Sequence, residues 1–222
     1  MDTPPSWNNL FEDPRFHWRQ PDEGVVALAT QWRAEGRLRL LDLGCGAGRH
    51  LAFLQTQGFA VDGIDVAPNG LRACAAALAE AGLAARLVRA DMTRLPFVDA
   101  SFDAGIATNV LNHNPRGLLQ MAVDDVYRVL KPGGQFYLTV LNTWDWRYGS
   151  GDEVEPDSFV LAEGPETGIL HHFFSEDDLR AWLAAFDIIQ LRRETGELLL
   201  STRPEGEPVI RDAWAVLIAR PR

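Results

Sequence analysis

The run Leu41-Asp42-Leu43-Gly44-Cys45-Gly46-Ala47-Gly48 closes an apolar stretch of strand length with three glycines spaced G-x-G-x-G. Glycines there let the backbone approach a ligand closely, and a helix that follows offers free N–H groups at its start. The dinucleotide fingerprint asks for G-x-G-x-x-G, and Arg49 stands where its third glycine would be. A phosphate loop ending in Gly-Lys-Ser/Thr is absent. Asp65 follows about 20 residues on, at the tip of a second strand, where a carboxylate can accept from both hydroxyls of a ribose. Asp91 and Met92 stand at the tip of a third strand. The acid there can accept from an adenine amino group while the thioether lies along the ring. A glycine cradle and two acids thus share the carboxyl edge of a sheet, where open α/β sheets bind ligands.

If a proton must be removed from a reacting group, His113 is the best placed candidate, because imidazole titrates near neutrality and the residue lies just past the fourth strand. The competing reading is a helix-entry histidine bonded to backbone. His171 and His172 are adjacent, so in extended chain they point to opposite sides and form no metal pair. Cys45 and Cys74, the only cysteines, suit neither a metal site nor a disulfide framework and read as small buried side chains. No metal is expected. Lys131, the sole lysine, lies in a turn. The aromatic pairs His17-Trp18 and Trp144/Trp146 could cover a site or anchor loops.

The formal net charge is −10, and an acidic surface repels phosphate backbones, which disfavours nucleic acid as a partner. Apolar stretches fall short of the roughly 18 residues a membrane span needs. No basic-then-apolar leader follows Met1. The expectation is a cytoplasmic protein acting on a small molecule, with oligomeric state open.

The elements that must carry these residues alternate. A proline- and aromatic-bearing arm over 1–21 precedes a helix over 22–35 with Val25, Leu28, Ala29 and Trp32 on one face. Strands are expected at 37–43, 60–66, 85–90, 102–108 and 135–141. Helices fall between them, including one over 115–130 that the run Lys131-Pro132-Gly133-Gly134 breaks. Strand and helix in alternation make a parallel sheet covered on both faces, an α/β fold. The rhythm lapses over 142–170, and so long a stretch inside a compact domain reads as an insertion or lid before a helix capped by Ser175. Two final strands are expected at 188–193 and 213–219, joined by a Gly/Pro-rich loop. The whole of 1–222 is expected to be one domain, with 142–172 inserted after the fifth strand.

The segments LDLGCGAGRH, VDGIDVAP, RADMTRLPFVDASFDAGIA and VLKPGGQFYLTV, in this order and spacing, resemble the successive motifs of small class I S-adenosylmethionine-dependent methyltransferases. The similarity is close over 37–141 and looser through HHFFSEDDLRAWLAAFDIIQL to the end. It implies a Rossmann-like seven-stranded sheet of order 3-2-1-4-5-7-6 with strand seven antiparallel. It also implies S-adenosyl-L-methionine as cofactor, with S-adenosyl-L-homocysteine as product. Asp42, Gly44, Cys45, Gly46 and Gly48 would lie against the methionine part and Asp65 on the ribose. Val66 and Ala67 would flank the adenine, Asp91 and Met92 would meet its amino group and face, and Asn109 would approach the methionine end. The Asn/Asp-Pro-Pro-Tyr/Phe run of amino-methylating nucleic-acid enzymes is missing; Thr108-Asn109-Val110-Leu111-Asn112-His113 stands there instead. Methyl transfer by in-line displacement to a small-molecule acceptor is the leading reading. A cofactor-binding or regulatory protein on the same fold is its alternative, and a nicotinamide oxidoreductase is disfavoured by Arg49.

Overall fold

The computed structural model describes residues 7–202 and 208–222. The first six residues of the expected arm, and 203–207 of the Gly/Pro-rich loop, lie outside the described residues. A short helix α1 (Trp7–Leu10) and a 3-10 turn (Pro14–Phe16) lead into α2 (Glu23–Ala34), whose N-cap Asp22 accepts from Gly24 N–H. There follow β1 (Arg39–Leu43), α3 (Arg49–Thr56), β2 (Ala60–Asp65), α4 (Pro68–Glu80), β3 (Leu87–Arg89), β4 (Phe102–Thr108), α5 (Arg116–Val129) and β5 (Leu130–Leu141). Then come β6 (Asp152–Glu155), β7 (Ser158–Val160), β8 (Leu170–His172), α6 (Glu176–Trp182), β9 (Asp187–Thr202) and β10 (Pro208–Ala219).

The main sheet runs β3-β2-β1-β4-β5-β10-β9. The first five strands pair in parallel, and β10 is antiparallel to both β5 and β9. Counting only these seven strands in chain order, this is 3-2-1-4-5-7-6 with the last strand reversed, as expected. Strands covered on both faces need apolar side chains on both, and β1 shows it. Leu40 packs with Val25, Trp32, Leu51, Leu54 and Leu78 on the side of α2, α3 and α4. Leu41 and Leu43 pack with Leu119, Val126, Leu179 and Leu183 on the side of α5 and α6. Helix α4 opens on Pro68, whose missing N–H costs nothing at a first helical position. In α6 the Ser175 side chain accepts from Asp178 N–H, and three acids fill the first turn.

Three stretches depart from expectation. Strand β5 begins at Leu130, since Phe102 pairs Leu130 and Ala104 pairs Gln135, so 131–134 bulge out of a continuing ladder. Strands β9 and β10 run longer than the apolar pattern indicates, because an antiparallel ladder continues on backbone bonds after the core ends. Residues 142–172 hold a small antiparallel sheet, β6-β7-β8, rather than irregular chain.

Trp32 is fully buried and its Nε1 donates to Gln135 Oε1 at 2.6 Å, tying α2 to β5 across the core. Trp32→Phe keeps most of the apolar bulk but leaves that amide oxygen buried without its donor, a loss of about 1–3 kcal/mol. Urea denaturation is expected to show this as a lower midpoint at unchanged slope.

Candidate active site

The glycine turn lies directly over β2. Gly46 has φ +50°, and a side chain there would meet the Phe11 ring at 2.9 Å, so the arm presses on the turn where no Cβ intervenes. Gly48, the N-cap of α3, has φ +87°, and a Cβ would stand 2.4 Å from Cys74 Sγ. Cys45 is buried against Cys74, which fits the reading of both as packing residues. Asp65 joins the two loops: its Oδ2 accepts from Gly46 N–H and its Oδ1 from Ala67 N–H, each at 2.8 Å. Burial raises the Asp65 carboxyl while those amides oppose the rise. Each oxygen keeps a second lone pair for a ligand hydroxyl.

Asp42 is 2% exposed, and its Oδ2 has no hydrogen-bond partner among the described residues. Burial pushes its carboxyl up to about 8, with Asp65 adding to the rise and Arg49 opposing it. Such an orphaned oxygen calls for a donor that the protein itself does not supply.

A cleft of about 380 Å³ opens beside this turn, between Val66, Ala67 and Pro68, the arm residues Trp7 and Asn8, and His113 with Ile169 opposite. Val66 is half exposed and Ala67 buried, so one of the two presents an open apolar surface. The arm is fastened by Asn69, whose N–H donates to Asn8 Oδ1 at 2.9 Å and whose Nδ2 donates to Asn8 O at 2.8 Å. Asp91 and Met92 do not line this cleft. Asp91 Oδ1 accepts from Thr93 N–H and Oγ1, and Met92 Sδ lies 3.4 Å from Asn114 Nδ2.

At the tip of β4, Asn109 takes φ +58°, with its N–H on Thr139 O and its Oδ1 accepting from Thr139 Oγ1 at 3.0 Å. Arg211 of β10 also donates to that Oδ1, and Arg49 donates to Thr108 Oγ1 at 3.2 Å beneath the Trp18 ring. Asp42, Thr139 and Arg211 all project from the sheet face that carries Leu40, Tyr137 and Ala215.

His113 departs from its expected titration. Its Nδ1 donates to Leu170 O at 3.2 Å and its Nε2 accepts from Asn112 Nδ2 at 3.2 Å, so the neutral ring is satisfied. Burial, helped by the charges of His171 and Arg147 against Glu166, pushes its pKa down to about 3. The obstacle to a base role at neutral pH is therefore physical: the lone pair is occupied and protonation is disfavoured. His171 and His172 do diverge, His171 toward Glu166 at 2.8 Å and His172 toward Ser158 at 2.8 Å. Burial alone would raise Glu166, but the hydrogen bond and charge of His171, with Arg147, hold it down to about 2. Arg147 in turn pairs with Asp145 at 2.8 Å and Glu166 at 3.2 Å. Arg211 escapes a sequence reading because its partner Asn109 lies 102 residues away, and Arg147 and Glu166 escape it because they sit in a segment with no readable period. Arg49, directly after the glycine turn, carried the one available signal.

Residues 40–134 match the family described as a methyltransferase domain. The chain is 39% identical over 183 residues to a 24-methylenesterol C-methyltransferase of Oryza sativa, a match covering 81% of this chain and 46% of that one. It is 30% identical over 135 residues to a sterol 4-C-methyltransferase of Caenorhabditis elegans, covering 58% of this chain and 40% of that one. The chain thus spans less than half the length of either relative. Among solved structures it is similar to a S-adenosylmethionine-dependent methyltransferase of Methanosarcina mazei, with TM-score 0.69, 27% identity, and coverage of 85% of this chain and 97% of that one. The matched domain, the order of the seven strands and the glycine turn at the tip of β1 together give this chain a methyltransferase domain over 40–134 and the fold of the class I S-adenosylmethionine-dependent methyltransferases.

Proposed function

We propose that this protein transfers a methyl group from S-adenosyl-L-methionine to a small-molecule acceptor. The observation that carries the reading is the pair of buried acids at the first two strand tips. Asp65 is held by two loop amides with lone pairs to spare, and Asp42 has an oxygen lacking any donor. A ribose supplies two hydroxyls to the first, and an amino-acid ammonium supplies donors to the second. Arg49, close enough to Asp42 to oppose its rise, offers the opposite charge to the carboxylate of the same amino-acid group. The residues present fit the cofactor.

In this assignment Gly44, Cys45, Gly46 and Gly48 line the methionine part with backbone, and Val66 and Ala67 flank the adenine. Asp91 and Met92, outside the cleft's present lining, would meet the adenine amino group and ring face. Asn109 stands at the methionine end, its strained backbone held by Thr139. Bound there, the cofactor supplies a sulfonium methyl to an acceptor nucleophile placed in line with the leaving sulfur. The protein's part is alignment and exclusion of water. Phe11, Trp7 and Trp18 bring apolar surface over the turn for that purpose. His113 serves in this scheme as a neutral wall of the cleft rather than as the base. The sterol names of the relatives above agree with a small acceptor, and we assign its half of the site to 142–172 and β10. We assign 142–172 as the cover on that side.

Two measurements test this assignment. Asp65→Ala removes two charge-assisted contacts, and calorimetry with S-adenosyl-L-homocysteine is expected to show affinity reduced about 100-fold; unchanged affinity overturns the ribose assignment. For His113, the folded pKa of about 3 lies below the ordinary 6.5. The unfolded chain therefore binds more protons between these values, and stability is lost as pH falls from 6.5 toward 3. His50, also pushed down to about 3 by burial while accepting from Asp22 N–H, contributes in the same direction. The melting temperature is expected to fall through this window, and His113→Asn to flatten part of the fall.

A further inference from the structure

Around the tips of β4, β5 and β10 the charged groups are nearly all matched. Arg147 is paired with Asp145 and Glu166, and Arg193 with Asp212. Asp22 is occupied by Gly24 N–H, Val25 N–H and the Tyr137 hydroxyl. Arg49 and Arg211 are the exceptions, each bonded among the described residues only to a neutral side-chain oxygen, and Arg49 is already assigned to the cofactor's carboxylate. The only side-chain hydrogen bond of Arg211 among the described residues goes to the neutral Asn109 Oδ1, and its Nε is buried with no partner among them. A guanidinium left this way is costly unless an anion completes it, and a carboxylate matches its planar fork with two parallel bonds.

Resting on the methyl-transfer reading above, we infer that Arg211 is a specificity residue for the acceptor, and that the acceptor is a small molecule bearing a carboxylate. Its position supports this source over the cofactor. Arg211 lies on Asn109, at the tip of β4 and on the acceptor side of the proposed methionine end. Arg49, beside Asp42, already serves the cofactor's own carboxylate. Burial disfavours the charged form of Arg211, and the nearby Arg147 and Arg49 add to that against Asp22 and Asp145, a balance that an added anion relieves. A sterol presents no such group.

Benzoate and benzamide, matched in shape and differing in charge, are the probes, titrated by calorimetry into the protein saturated with S-adenosyl-L-homocysteine. The expected result is binding of benzoate and none of benzamide, with benzoate affinity falling on the order of tenfold or more in Arg211→Gln. Arg211→Lys should keep part of it, because it keeps charge but not the fork. Affinity for S-adenosyl-L-homocysteine should stay within about twofold in both variants by the same conversion. Equal binding of the two probes, or no benzoate binding to the saturated wild type, overturns the inference without any variant. A loss of S-adenosyl-L-homocysteine affinity in Arg211→Gln with benzoate unaffected assigns the guanidinium to the cofactor and overturns it too. Failure of the wild type to bind S-adenosyl-L-homocysteine instead removes the reading on which the inference rests.

Discussion

The Asp65 carboxylate holds this site together. It stands at the end of β2, yet its oxygens take N–H groups from the turn after β1 and from the start of α4. Both loops must therefore arrive at one point, and that requirement reaches outward. Gly46 has to lack a side chain so that the turn can curl over Asp65 under Phe11, and Gly48 has to lack one so that α3 can start against Cys74. The register of β1 on β2, with Leu43 opposite Ile64, sets the two tips level. A carboxylate so placed is partly desolvated and satisfied by dipoles fixed before any ligand arrives, which is the preorganisation that binding needs.

Around that point the arm acts as a second layer. Phe11 covers Gly46 and Gly70, Asn8 holds Asn69, and Trp7 meets His113 edge to face with centroids 4.6 Å apart. His113 then meets His171, again edge to face at 4.6 Å, and His171 reaches Glu166 and through it Arg147. The arm and the small β6-β7-β8 sheet are thus linked through one neutral histidine. Its neutrality follows from its place: an imidazolium there would be partly desolvated and would face Arg147 and His171, with Glu166 the one charge opposing them.

What the sequence made legible was local. The glycine turn, Asp65 about 20 residues on and the alternation of strands and helices each depend on neighbours in the chain or on a fixed period, and the sheet order follows once the family is recognised. The protonation of His113 was not legible, because it depends on Leu170 and Arg147, which reach it only through the fold. Arg211 was hidden for the same reason. It falls in the loop expected before the strand at 213–219, beside the oppositely charged Asp212, and nothing there names Asn109, 102 residues earlier, as its contact. The small sheet over 142–172 was masked by its Gly, Asp and Pro content, since its strands are three or four residues long and too short to show a period.

This division separates the donor half of the site from the acceptor half, and charge separates them too. The whole chain carries −10, which repels an anion at long range. At physiological ionic strength that field is screened within about 8 Å, so capture of an anionic ligand falls to the groups that touch it. On the sheet face above β1, β4 and β10 those groups are Arg49 and Arg211, hydrogen-bonded to the neutral oxygens of Thr108 and Asn109. An acidic protein that keeps two partly buried guanidinium groups there without carboxylate partners among the described residues bears a desolvation cost that the buried Arg147 offsets through Asp145 and Glu166. A cofactor carboxylate accounts for one of the two, and the second is intelligible if the acceptor brings another.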